Sequence, residues 1–135
     1  MRDRVRSLKR IADVQKQLHN LEEVKYARLQ QRMAECRAAQ DELSSALSND
    51  DALHGLFVDV TVRRLKSLRQ EEAKLAPEIE AQARVVVAHG GRLRNSERLK
   101  DELTVELRRV EEREELERLL EAGFAQNLAS SEQDR

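Results

Sequence analysis

Large aromatic side chains are nearly absent from this 135-residue chain: Tyr26, Phe57 and Phe124 make up 2%, and there is no tryptophan. A compact domain fills its core with such groups, so an ordinary globular core is excluded. Pro77 is the only proline and Cys36 the only cysteine. One thiol cannot close an intrachain disulfide, which points to a reducing compartment. Purely apolar runs are short, as in Val85-Val86-Val87-Ala88, so no membrane span is expected. Met1 to Arg10 has no apolar stretch behind its charges, so no secretory signal is read there. The expected location is cytoplasmic.

Charge is what the chain has in abundance. Charged residues make up 38% of it, yet the net charge is −1, so nothing global favours nucleic acid or an anionic membrane. The ends differ locally. Arg2, Arg4, Arg6, Lys9 and Arg10 stand against Asp3 alone, whereas Glu111, Glu112, Glu114, Glu115, Glu117 and Glu121 outnumber Arg113 and Arg118.

Apolar residues recur at alternating three and four positions, the stripe of a coiled coil. One stripe runs Leu8, Ile11, Val14, Leu18, Leu21, then Leu29, Met33, Cys36, Leu43, Leu47. The other runs Val58, Val62, Leu65, Leu68, Leu75, Ile79, Val86, Leu93, Leu103, Leu107, Val110. Between them lies the polar break Ser48-Asn49-Asp50-Asp51, whose residue types favour turns and N-caps. The chain is predicted to be all-α: one long antiparallel two-helix coiled-coil hairpin, a rod without a pocket. Helix one is expected over about 3–47 and the turn over about 48–55. Helix two is expected over about 56–122, ended by Gly123 at C′, with 123–135 a frayed tail.

Folding the sequence about residue 52 sets Leu47 against Phe57 or Val58, Leu43 against Val62, Cys36 against Leu68 and Leu29 against Leu75. It also sets Leu18 against Val86, Ile11 against Leu93 and Val5 against Leu99. Helix one then runs out opposite about Leu103. Some nineteen residues of helix two are left over, roughly 28 Å at 1.5 Å per residue. They keep apolar positions at Leu107, Val110, Leu116, Leu119 and Leu120, a stripe that invites a partner. Three places disturb the pattern: the eight-residue step from Leu21 to Leu29, which reads as a slip in register; Pro77, a kink or break; and Gly90-Gly91.

Chemistry of the catalytic kind finds no foothold. His19, His54 and His89 are scattered, and the hairpin brings His19 and His89 within a turn of each other with no third ligand at metal spacing. Gly90-Gly91 has no phosphate-loop context. Carboxylates lie dispersed on solvated faces, so no cofactor, metal or enzymatic activity is expected. The basic clusters Arg63, Arg64, Lys66, Arg69 and Arg92, Arg94, Arg98, Lys100 are interleaved with acids and lack stacking aromatics, which argues against nucleic acid.

A basic-apolar opening (Arg4-Val5-Arg6-Ser7-Leu8-Lys9-Arg10-Ile11), a turn at about forty per cent of the length and a closing run Glu111-Glu112-Arg113-Glu114-Glu115-Leu116-Glu117-Arg118 together resemble the FliJ/YscO family. These are the coiled-coil stalk proteins of flagellar and virulence type III export. The resemblance spans nearly the whole chain through architecture and charge pattern. It implies that the paired terminal ends enter a hexameric export ATPase and that the protein also meets the cytoplasmic domain of the export gate, in some cases escorting secretion chaperones. Carried onto this sequence, the ATPase-facing residues are Arg2, Arg4, Arg6, Lys9, Arg10, Leu107, Val110, Arg113, Leu116 and Leu120. The gate-facing ones are Phe57 and Arg64, and Phe57 stands where the family often has several aromatics. Two other readings remain open: a scaffold that self-associates through the end of helix two, and a helical arm that holds RNA.

Overall fold

The computed structural model describes residues 1–49 and 55–133, apart from the side chain of Leu56. Helix α1 is Arg2–Ser48 and helix α2 is Gly55–Gln133, and there is no strand among the described residues. The fold is all-α, two helices packed against each other as a hairpin with the second longer. The expected turn falls largely on residues 50–54, outside the described residues, as do His54 and the caps sought at Asp50 and Asp51.

Between Arg2 and Ser48 there is neither glycine nor proline, so α1 meets no breaker. Asp3 in its first turn complements the positive end of the helix dipole. Helix α2 has breakers and ignores them. It continues unbroken through Pro77, Gly90, Gly91 and Gly123. Proline there removes one intrahelical bond, but Leu75, 2% exposed, and half-buried Ile79 anchor the helix on either side. The end expected near Ala122 is not observed: α2 is helical to Gln133.

The chain forms two compact units, Met1–Val14 with Arg94–Arg135, and Gln15–Leu93. In the second unit, contacts run in opposite senses along the two helices. Glu22 meets Gln82, Arg32 meets Glu71, Cys36 meets Leu68 and Arg37 meets Glu72, so the helices are antiparallel. The core holds Met33, Cys36, Leu65, Leu68 and Leu75, all under 9% exposed. Cys36 lies in the seam as expected, its thiol donating to the Leu68 carbonyl at 3.1 Å. Thr61, 3% exposed, also sits in the seam, with its hydroxyl satisfied by the Phe57 carbonyl at 2.8 Å.

The seam of α1 differs from the expected stripe. Its sheltered positions include the series Val5, Leu8, Ala12, Gln15, His19, Glu22, Tyr26, Leu29, Met33, Cys36, Gln40, Leu43 and Leu47, with Ala39 and Ala46 beside it. That series alternates three and four without interruption, so there is no slip between Leu21 and Leu29. Ile11, Val14, Leu18 and Leu21 lie outside the seam at 39–58% exposure, as do Val62 and Leu99. The pairings expected for Ile11, Leu18, Val62 and Leu99 are therefore replaced. The apparent slip was the step from one stripe of α1 to another.

One glycine of the pair has a steric reason. A Cβ at Gly90 would lie 3.3 Å from Cε1 of His19, so His19 packs on bare backbone; nothing lies within 4 Å of a Cβ at Gly91. Gly91→Ala is expected to stabilise the chain by about 0.5–1 kcal/mol through helix propensity, and Gly90→Ala to fall short of that gain. Leu75→Ala should cost about 2–5 kcal/mol, against about 0.5 kcal/mol or less for exposed Ile11→Ala. Urea unfolding followed by circular dichroism measures all four.

Candidate interaction surfaces

The first unit contains the paired terminal ends. The sheltered positions of α2 here are Ser96, Lys100, Leu103, Thr104, Leu107, Val110 and Glu111, and the last inter-helix tie is Arg2, whose Nε donates to Glu111 Oε1 at 2.9 Å. Leu107 and Val110, placed by sequence on the free stripe, are half-buried against α1 and belong to the packing. From Glu112 to Gln133 every residue is exposed. The extension therefore begins later than expected and runs further, about 33 Å at roughly 1.5 Å per residue. Arg113 is exposed, and Leu116, Leu119, Leu120, Phe124 and Leu128 show 55–68% of their surface. Phe124 and Leu128 lay beyond the expected helix end; the signal for them is the four-residue step that carries Leu116 and Leu120 past Gly123.

Arg4, Arg6, Lys9 and Arg10 are all exposed, and no ion pair involves them among the described residues. On one side of this unit an open groove of about 540 Å³ runs between the helices. Leu8, Leu99 and Leu103 form its floor, with Arg4 on the α1 edge and Glu102 and Glu106 on the α2 edge.

In the second unit the seam turns polar. Gln82 Nε2 donates to Glu22 Oε2 at 2.6 Å and to the Glu22 carbonyl at 3.0 Å. The bond to the carboxylate, aided by Lys25 and His89, holds the Glu22 carboxyl below the usual carboxylate range. Glu72 is lowered likewise, first by Gln40 Nε2 at 2.9 Å and then by Arg37 Nε at 3.1 Å. His19 Nε2 lies 2.9 Å from Glu23 Oε1. Gln15 Oε1, His19 Nδ1 and His89 Nδ1 are buried with no hydrogen-bond partner among the described residues. Among the described residues no group of three or more His, Cys, Asp or Glu could hold a metal ion.

Along the same stretch α1 presents the apolar stripe that the seam left out, Leu18, Leu21 and Val24 in this unit and Ile11 and Val14 in the other. The expected gate-facing residues also lie in the second unit. Phe57 is 50% exposed, and exposed Arg64 edges a shallow groove with Arg32, Glu35 and Glu71.

Comparison with family models, with curated proteins and with solved structures finds no match to this chain. The interaction surfaces stand on their own geometry. No described helix is long and apolar enough to cross a membrane.

The lowered carboxyls carry a pH dependence. A group whose pKa is depressed on folding adds stability above its unfolded pKa, and that contribution is lost as pH falls through the folded value. Glu22 and Glu72 should therefore stabilise the second unit fully at neutral pH and progressively less below the ordinary glutamate pKa of about 4.3. Thermal melts across that range should show Glu22→Gln and Glu72→Gln well below the parent at pH 7, the gap closing in acid.

Proposed function

We propose that this chain is a non-enzymatic stalk and adaptor of a bacterial type III export apparatus, flagellar or virulence-associated. Its terminal end enters the central pore of a hexameric export ATPase. The observation that carries the reading is the extension of α2 beyond the last tie to α1, exposed from Glu112 to Gln133 with Leu116, Leu120 and Phe124 uncovered. A charged helix that keeps leucines at helical spacing with no cover among the described residues is built to be covered by something else. A ring pore can supply apolar contacts over a broad face, which suits Leu116, Leu119, Leu120, Phe124 and Leu128, spread over about half of the helix circumference rather than along one narrow line.

Arg113, Leu116 and Leu120 are the contacts assigned to the pore lining, and the exposed bases Arg4, Arg6, Lys9 and Arg10 meet the mouth of the ring. Leu107 and Val110 hold the two helices together at that level. The second unit offers Phe57 and Arg64 to the cytoplasmic domain of the export gate. On this reading the protein works in the cytoplasm beside a membrane-embedded apparatus and needs no cofactor.

The full chain should raise the ATPase activity and hexamer formation of a cognate export ATPase several-fold. A chain ending at Glu111 should keep the melting behaviour of the hairpin and lose that stimulation. Equal stimulation by the shortened chain would sink the insertion model. Self-association through the extension is the competing account; it requires the shortened chain to become monomeric in sedimentation equilibrium while the full chain does not.

A further inference from the structure

Between Ala12 and Tyr26, α1 gives the seam only polar side chains, Gln15, His19 and Glu22. On α2 the sheltered residues of this stretch include Gln82, His89, Gly90 and Gly91, with Val86 and Leu93 as the large apolar groups. Glu22 is satisfied by Gln82. Every buried unpartnered side-chain atom among the described residues also falls here: Gln15 Oε1, His19 Nδ1 and His89 Nδ1. His19 lies on the bare backbone of Gly90, and its ion-pair partner, Glu23 at 2.9 Å, is on its own helix. Along the chain between the Glu22–Gln82 pair and the Arg2–Glu111 tie, no side-chain hydrogen bond or ion pair joins the two helices among the described residues.

We propose that this polar layer is a joint at which the hairpin opens from within, while the seam on either side of it along the chain stays shut. Parting a layer costs the apolar surface that it uncovers. Parting the layers of Leu65, Leu68 and Leu75, each at most 8% exposed, returns whole leucines to water. Parting the layer of Gln15, His19 and His89 uncovers little beyond half-buried Val86 and Leu93. It also gives three orphaned polar atoms the water they lack.

The backbone adds no obstacle. Glycine is the poorest helix former after proline, so α2 at Gly90-Gly91 gives up its intrahelical bonds locally once the seam stops supporting it. Such an opening lets the hairpin yield along its length without releasing Glu22 from Gln82 or Arg2 from Glu111. It uses no residue assigned to the ATPase or to the gate, so it stands or falls apart from the export reading.

Hydrogen exchange of the full chain at neutral pH, corrected for intrinsic rates, tests it. Protection over residues 89–92 should be at least about tenfold lower than over 65–75. It should also be lower than over 103–110, a stretch with no glycine that keeps Leu103 and Leu107 sheltered. That minimum is decisive, because fraying alone lowers protection steadily towards a terminus. Gln15→Leu with His89→Leu should raise protection around residue 90 at least about tenfold, since the layer then has apolar surface to keep covered. Gly91→Ala, whose Cβ meets nothing within 4 Å, should raise it about twofold to fivefold. A profile without a minimum near Gly90, or a minimum that the leucine pair leaves unmoved, would overturn the joint. So would a leucine pair that melts below the parent, because the polar groups would then be what holds the layer closed.

Discussion

Two helices that pack only on each other share a single seam, and every other property of this molecule depends on that limit. Each helix can shelter about two residues in seven, so most of the apolar content must face water. Among the described residues the buried apolar ones are Ala12, Met33, Cys36, Leu65, Leu68 and Leu75, with no aromatic side chain. Such a fold cannot enclose a cavity. It gains stability locally, layer by layer, and what it offers a partner is side-chain pattern on open faces.

The broad architecture was legible because three-four spacing is a strong signal when sustained. It placed Cys36 against Leu68, put Leu65 and Leu75 inside and gave the second helix its greater length. The sequence did not reveal which of two stripes α1 would use. Ile11, Val14, Leu18 and Leu21 have spacing as regular as Ala12, Gln15, His19 and Glu22, and they are far more hydrophobic. The choice is made by α2, which presents Gln82, Gly90 and His89 at that stretch: a donor for Glu22, bare backbone for the His19 ring, and a second imidazole. A rule that sees one helix at a time cannot see complements on the other.

The terminal end was legible in kind and misplaced in extent. Folding the sequence about residue 52 released Leu107 and Val110 too early, whereas the seam reaches Val110 and Arg2 ties to Glu111. Gly123 was read as a stop, but its cost of about 1 kcal/mol is small beside the strong helix formers around it, Leu119, Leu120, Ala122, Ala125 and Ala129. Polar groups within the seam trade stability for register. A layer that joins Glu22 to Gln82 cannot slide by a turn without abandoning a carboxylate in a half-buried site, whereas a layer of leucines can.

The lone thiol gives the molecule a clock of its own. Cys36 is 4% exposed, its hydrogen is engaged by the Leu68 carbonyl, and Gln40 Nε2 lies 3.5 Å from its sulfur. An alkylating reagent can reach that sulfur only when the helices part at this layer, three seam layers in from Leu47. With reagent in excess, the labelling rate equals the frequency of that parting; with reagent scarce, it reports the open fraction. Because no second cysteine competes, one mass shift reads the breathing of the Cys36–Leu68 layer separately from fraying elsewhere.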